Sequence, residues 1–207
     1  MEKQSKMIIK PEELDFKSVY KLLTGLVIPR PIGWVATVSE DGVHNLAPFS
    51  FFNAVSADPP TLMFSASNSP NANKDTSRNA LQTGEFVVNM VTENLVEQMN
   101  DTAAPIPSHE SEFDYAKIAY AESTVVKPRR VANAPISFEC KVIHHHHIDG
   151  QRGGSMMILG EIVMIHINDQ IVDENYHTDL EVYQPISRLA GAFYARLGDQ
   201  FVLKRAQ

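Results

Sequence analysis

The feature that most constrains the fold is a strand and hairpin signal near the start of the chain. Pro29-Arg30-Pro31 excludes a helix, because proline has no backbone N–H and keeps the preceding residue extended. Residues 33–38 then read GWVATV, which is rich in side chains that favour strands. Asp41-Gly42 follows and supplies the positive φ that a short hairpin needs. We therefore expect the β structure to begin with an antiparallel hairpin.

Further runs of β-forming residues continue along the chain, and three segments have helical spacing. We predict strands at residues 61–65, 86–91, 136–143, 156–168 and 193–203, and helices at residues 11–23, 75–84 and 93–101. Gly25 and Gly84 are expected to end the first two helices. Asp75 or Thr76 is expected to cap the second helix, and Thr92 the third. Strands joined by hairpins rather than by helical crossovers favour a mainly β fold, a largely antiparallel β-barrel with peripheral helices.

Length, charge and cysteine content exclude several classes of protein. The 207 residues predict one compact domain spanning 1–207, which is long enough to bury a core. The net charge of −7 leaves no basic face for a polyanion, so nucleic acid is not an expected partner. We find no signal peptide or membrane span in the sequence, and we expect a cytoplasmic protein that does not enter a membrane. Cys140 is the single cysteine, which excludes an internal disulfide.

Two short segments together predict a site for a phosphorylated aromatic cofactor. Residues 48–53 read PFSFFN and combine aromatic, hydroxyl and amide groups. A flavin needs an apolar wall for its ring and backbone donors for its pyrimidine oxygens. Asn73-Lys74-Asp75-Thr76 comes before a helix, where the helix N-terminus and the lysine can hold a phosphate together with Ser65. The alternative is that the phenylalanines are core residues, Ser50 only turns the chain and Lys74 is a solvated charge.

Motifs for other chemistries are missing, and one histidine run is ambiguous. The chain has no Rossmann glycine fingerprint, Walker loop, nucleophile elbow or HExxH sequence, so a nicotinamide cofactor would not bind through a Rossmann fold.

His144-His145-His146-His147 resembles a metal site, but alternate residues of a strand face opposite sides, which leaves two ligands on each face. We favour a polar strand end without a bound metal, and we keep a His-rich metal-binding β-barrel as a distant alternative.

Several motifs occur in the order found in a known protein family. They are residues 29–37 (PRPIGWVAT), 45–53 (NLAPFSFFN), 58–60 (DPP), 74–76 (KDT), 112–113 (EF), 160–163 (GEIV) and 188–195 (RLAGAFYA). Over about residues 15–198 the chain resembles the flavin reductase-like, FMN-binding split-barrel proteins of the flavoredoxin and nitrilotriacetate monooxygenase reductase component type. One departure is Ala190-Gly191, where the family usually has two glycines.

The resemblance implies a split barrel, a homodimer and an FMN bound near the subunit interface. It also implies NAD(P)H:flavin oxidoreductase activity. A hydride would pass from NAD(P)H to flavin N5, and reduced flavin or electrons would pass to a flavin-dependent monooxygenase or another acceptor. No catalytic acid or base is expected. A non-catalytic FMN electron carrier of the flavoredoxin type is the main alternative, and an oxidase of the pyridoxamine-phosphate type ranks lower.

The resemblance also assigns the cofactor site. The segment from Ala47 to Asn53 would line the flavin, and Ser65 with the start of the second helix would hold its phosphate. The residues expected to bind the cofactor are Trp34, Ala47, Pro48, Phe49, Ser50, Phe51, Phe52, Asn53, Ser65, Asn73, Lys74, Asp75, Thr76 and Tyr194. Trp34 and Tyr194 have an alternative role as aromatic residues of the barrel.

Overall fold

The computed structural model describes residues 6–68, 73–204 and 206, and its regular structure is mainly β-strand. The strands are β1 (Arg30–Pro31), β2 (Gly33–Val38), β3 (His44–Phe49), β4 (Phe52–Ala57), β5 (Pro60–Ser67), β6 (Glu85–Met90), β7 (Tyr120–Ala121), β8 (Arg130–Val131), β9 (Ile136–Ile148), β10 (Ser155–Ile167), β11 (Ile186–Arg188) and β12 (Tyr194–Arg196). The helices are α1 (Phe16–Leu26), α2 (Asp75–Thr83), α3 (Val96–Asp101), α4 (Glu112–Tyr115) and α5 (Leu180–Tyr183). The predicted mainly β fold with peripheral helices is confirmed.

One antiparallel sheet organises the molecule, with the strand order β3-β2-β6-β9-β10-β5-β4. β9 and β10 pair along their length, from Ile136 opposite Ile167 to Ile148 opposite Ser155. β6 pairs with the first part of β9, and β5 pairs with the first part of β10. The long pair therefore joins the two halves of the sheet.

The long pair bends where its register shifts. One shift lies between Leu159 and Gly160, and a second lies between Ile162 and Met164. Irregularities of this kind bend a strand and increase its twist. Gly160 allows the strand to approach the core closely, because a Cβ at this position would lie 2.3 Å from Cζ of the fully buried Phe86.

Two hydrophobic cores lie on opposite faces of the central strands. Trp34 and Ala36 of β2 belong to one core, whereas Val35 belongs to the other, and β6 divides in the same way. Every residue of β2 is buried. A strand that is buried on both faces reads as a continuous run of apolar and small residues, which is the pattern that the sequence shows at residues 33–38.

The helices lie where the sequence predicts them, but several of their ends differ. α1 begins at Phe16 rather than at residue 11, because the carboxylate of Asp15 caps it by accepting a hydrogen bond from the Ser18 N–H at 3.0 Å. Gly25 lies inside α1 and does not end it. Gly84 ends α2 as predicted, with a φ of +73°. In the described part of the chain, no helix is both long and apolar enough to cross a membrane.

One predicted helix cap lies at a different residue, and another lies at the predicted residue but makes no capping hydrogen bond. Lys74, and not Asp75 or Thr76, occupies the N-cap position of α2. Thr92 occupies the cap position before a short 3-10 turn, Glu93–Leu95, that leads into α3, but its side chain makes no capping hydrogen bond. Helix caps depend on the conformation of one residue, which neighbouring packing can change.

Two strands differ in length from the prediction. β9 continues to Ile148 and includes the histidine run, because β10 supplies a pairing partner for this whole segment. The predicted strand at residues 193–203 is shortened to Tyr194–Arg196, which pairs with β11. β11 also pairs with β1, so that Arg30 lies directly opposite Arg188 in a small sheet of order β1-β11-β12.

A buried carboxylate fixes the loop that precedes β8. Glu139 of β9 is completely buried and accepts hydrogen bonds from the backbone N–H groups of Thr124, Val125 and Val126 at 2.6–3.0 Å. Nε2 of His166 on β10 lies 2.5 Å from the same carboxylate. Burial alone would raise the pKa of Glu139, but these hydrogen bonds outweigh it and lower the pKa.

Candidate functional site

The segment from β3 to β4 turns its aromatic residues in two directions. Phe49 and Phe52 are 6% and 7% exposed and belong to the core, where the ring of Phe49 lies 5.1 Å from that of Phe64. Ala47, Pro48, Ser50 and Phe51 are half-buried, and Asn53 is exposed. The surface available to a ligand is therefore formed by Pro48, Ser50 and Phe51 together with the backbone of the turn.

Strand β5 fixes this turn. The backbone N–H of Ser65 donates to the carbonyl oxygen of Phe51 at 2.8 Å. Phe64 and Ala66, the neighbours of Ser65 along the strand, point into the core. Because side chains alternate along a strand, Ser65 points to the opposite, outer face.

The start of α2 combines features that favour an anion. Lys74 is exposed at the N-cap of the nine-residue helix, and its side chain makes no capping hydrogen bond. The carboxylate of Asp75 lies 2.5 Å from the guanidinium of Arg78, which offsets its charge. Helix N-termini bind phosphate through their backbone N–H groups and the helix dipole. Asn73 is also exposed at this position, whereas the Thr76 side chain is 1% exposed.

A buried polar network joins the start of α2 to β3. The hydroxyl of Thr76 donates to Oδ1 of Asn45 at 2.7 Å. The amide of Asn45 donates to both oxygens of Glu112 at 2.9 Å, and the Leu46 N–H donates to Oε2 of Glu112 at 2.9 Å. Burial raises the pKa of Glu112 despite these hydrogen bonds. The sequence prediction did not include Asn45 and Glu112 among the site residues. Both residues lie in the family motifs at residues 45–53 and 112–113, which could have identified them.

Trp34 and Tyr194, for which the sequence left a role in the barrel open, lie in different environments. Trp34 is completely buried, and its indole N–H donates to the Thr102 hydroxyl at 2.9 Å, so its side chain offers no surface to a ligand. Tyr194 is half-buried beside Pro48 and Ser50, and its hydroxyl donates to Oδ1 of Asn100 at 3.3 Å.

The histidine run forms the end of β9. Pairing with β10 places His144 and His146 on one face and His145 and His147 on the other. Each of these residues is exposed. In the described residues, His, Cys, Asp and Glu side chains form no group of three or more that could hold a metal ion.

The residues brought together fit the chemical parts of FMN. A cation at a helix N-terminus suits the phosphate, a half-buried phenylalanine and proline suit the ring, and the turn backbone suits the pyrimidine edge. The hydrogen bond from the Ser65 N–H fixes the turn to β5, and the hydrogen bond from Thr76 fixes the start of α2 to β3.

The sequence profile of the flavin reductase like domain matches residues 25–186. The chain belongs to the flavin reductase-like family. Its fold is the split barrel that this family adopts, as the sequence resemblance predicted. The matched segment includes β1 to β10, the turn of residues 47–53 and the start of α2.

Individual relatives extend the similarity to nearly the whole chain. An uncharacterized protein of Aquifex aeolicus is 44% identical over 194 residues, which are 93% of this chain and 97% of the relative. The crystal structure of nitrilotriacetate monooxygenase component B from Bacillus cereus is 40% identical, with a TM-score of 0.94 over 97% of this chain and 100% of that chain. Flavoredoxin of Desulfovibrio vulgaris shares the fold, with 19% identity and a TM-score of 0.71 over 86% of this chain and 91% of that chain. The predicted family and its two named types are confirmed.

Replacing Glu112 with glutamine tests the polar network. The glutamine places an NH2 group where Asn45 or Leu46 needs an acceptor, so the free energy of unfolding should fall by about 1–3 kcal/mol at neutral pH. The raised pKa of Glu112 means that the folded state binds its proton more tightly than the unfolded state. The stability that Glu112 contributes is therefore greatest below its ordinary pKa of 4.5 and falls as the pH rises through the raised value.

Urea denaturation of wild type and Glu112→Gln measures both effects. The difference in unfolding free energy should shrink as the pH rises above 4.5, because glutamine does not titrate. Glu97→Gln, at an exposed position on α3, is the control and should leave stability nearly unchanged. A difference that grows with pH would contradict the assigned direction.

Proposed function

We propose that the protein binds FMN and acts as an NAD(P)H-dependent flavin reductase that supplies reduced flavin or electrons to a flavin-dependent monooxygenase or another acceptor. The observation that carries this proposal is the hydrogen bond from Thr76 to Asn45, which holds the start of α2 against β3, the strand that leads into the turn of residues 47–53. The 40% identity to a monooxygenase component B supports the choice of a monooxygenase as partner.

The proposed roles divide the site between binding and shielding. Lys74 and the start of α2 bind the phosphate, and the turn backbone orients the pyrimidine edge. Phe51 and Pro48 contact the ring, while the core residues Phe49 and Phe52 keep water from the interior side of the turn. When bound, FMN supplies two-electron chemistry by accepting a hydride at N5. The protein then needs to position the hydride donor against the ring, and no side chain has to transfer a proton.

Lys74→Ala tests the phosphate site. Loss of the ammonium group should weaken FMN binding by about 1–3 kcal/mol, measured as the dissociation constant in a flavin fluorescence titration. Lys141→Ala, at an exposed lysine of β9, is the matched control and should retain the wild-type constant. An unchanged dissociation constant for Lys74→Ala would remove Lys74 from the site.

Anaerobic mixing of the FMN-loaded protein with NADH, and separately with NADPH, tests the reductase activity. Rapid loss of the visible absorbance of oxidised flavin is expected with at least one of the two donors. The fold shared with flavoredoxin makes a non-catalytic electron carrier the second candidate. Flavin that binds but stays oxidised with both donors would favour that carrier, which takes electrons from a protein.

We also propose that the protein forms a homodimer through the outer face of the sheet near β4, with the flavin close to the interface. β4 is an edge strand, and five of its six residues, Asn53 to Ala57, are exposed. Val55 is 49% exposed, and Ile143 and Ile148 at the free end of β9 are each 48% exposed. Exposed edge strands with apolar side chains are surfaces that other chains cover.

Sedimentation at micromolar concentration tests the dimer. The wild type should sediment as a dimer, and Val55→Lys should shift it towards monomer, because a charge would be buried at the interface. Val125→Lys, at a valine that is 42% exposed on a different surface, is the control. A wild-type monomer would contradict the interface.

A further inference from the structure

Arg30 is a buried cation, and in the described part of the chain it has no acidic partner. Its side chain is 6% exposed, and its guanidinium donates to the carbonyl oxygens of Thr24, Val27 and Leu189 at 2.5, 2.7 and 3.0 Å. Nε of Arg30 donates to the Ser50 hydroxyl at 3.3 Å. These four acceptors are neutral, so they satisfy the donors but do not neutralise the charge. Burial lowers the pKa of Arg30, as expected for an unneutralised cation.

A second arginine lies directly opposite the first. Arg30 and Arg188 are paired residues of β1 and β11. Arg188 is half-buried, donates to the carbonyl oxygen of Gly191, and stacks its guanidinium carbon 4.4 Å from the centre of the Tyr194 ring. Like charges that are directly opposite in a sheet destabilise it. The pair therefore concentrates positive charge at one position of a chain whose net charge is −7.

Neither of these two arginines forms an ion pair with a described carboxylate. Within the described part of the chain, no carboxylate oxygen lies within 4.0 Å of either guanidinium. Arg78, Arg129 and Arg196, in contrast, form ion pairs with Asp75, Glu122 and Glu93. A buried charge is costly unless an opposite charge accompanies it. The position is electrostatically incomplete without an anion.

A pocket of about 210 Å³ opens at this position. The residues that define its chemistry are Tyr20, Pro48, Ser50, Met99, Arg188 and Tyr194. Its volume is smaller than the roughly 300–1,000 Å³ of pockets for drug-sized ligands, which limits the occupant to a single ring or a small group. Pro48 and Ser50 also belong to the turn assigned to the flavin, so an occupant would lie next to the cofactor.

We propose that this pocket binds the anionic end of the molecule that exchanges electrons with the flavin, and that it prefers a carboxylate on a single aromatic ring. Arg188 contacts the anion directly, Tyr20 and Tyr194 contact the ring, and Arg30 adds a fixed positive charge behind Ser50. This inference rests on the proposed function, because it assigns a substrate class to the same site. A phosphate group is also an anion that an arginine can bind. The titration described next distinguishes a carboxylate from a phosphate.

Calorimetric titration of the full chain, with and without FMN, tests the proposal with benzoate, its neutral isostere benzamide and inorganic phosphate at constant ionic strength. Benzoate should bind saturably at millimolar concentrations, and benzamide should bind at least about tenfold more weakly. Phosphate that binds more tightly than benzoate and displaces it would identify a phosphate-bearing molecule as the occupant. Absence of saturable binding by both anions, or equal binding of benzoate and benzamide, would overturn the proposal.

Variants of Arg188 locate the site. Arg188→Gln should weaken benzoate binding at least about tenfold, and Arg188→Lys should recover part of the affinity. Arg129→Gln is the matched control, because Arg129 also stacks on a tyrosine, with its guanidinium carbon 3.8 Å from the Tyr120 ring centre, but has a carboxylate partner. Undiminished benzoate binding by Arg188→Gln would place the anion elsewhere. Replacing Arg30 would not locate the anion, because the loss of its four hydrogen bonds would destabilise the fold.

The same preparations separate this proposal from the proposed function. Benzoate binding without FMN binding would overturn the flavin reductase proposal and retain an anion pocket. FMN binding and reduction by NADH without benzoate or phosphate binding would overturn the pocket and retain the reductase.

Discussion

Two thirteen-residue strands, β9 and β10, pair along their whole length, and the other strands of the main sheet attach to them. β6 attaches to the first part of β9 and brings β2 and β3, whereas β5 attaches to the first part of β10 and brings β4. The bend at Gly160 allows both attachments to share one interior, since the glycine is close to Phe86. The turn between β3 and β4 thus connects strands from opposite edges of the same sheet.

The candidate site is positioned by polar contacts between segments that are distant in sequence. Arg30 contacts Ser50, the Ser65 N–H contacts Phe51, and Thr76 contacts Asn45. Each contact reaches β3 or the turn that follows it from a different element. A buried polar group that loses its hydrogen-bond partner costs free energy. These contacts therefore restrict the turn more strongly than apolar packing would.

The sequence predicted the order of the elements better than their ends. β2 and the hairpin at Gly42 follow the prediction, because proline, β-branched residues and Asp-Gly act locally. The length of β9 was missed, because only pairing with β10 makes four histidines a strand. In the site, the surface turn and Lys74 were predicted from residue type. The burial of Phe49, Phe52 and Thr76, and the cross-strand pairing of Arg30 with Arg188, depend on tertiary packing that no local pattern encodes.

The environment of Glu139 makes the stability of one region of the molecule sensitive to acid. Its lowered pKa means that the folded state holds this carboxylate ionised more strongly than the unfolded state does. The stability that it contributes is fully present above its ordinary pKa of 4.5 and is lost as the pH falls through the lowered value. Protonation would leave three loop N–H groups with a weaker acceptor and would remove the negative charge beside His166. The loop of residues 124–126 and the end of β10 are therefore the acid-labile corner of a sheet whose centre is held by apolar contacts that do not titrate.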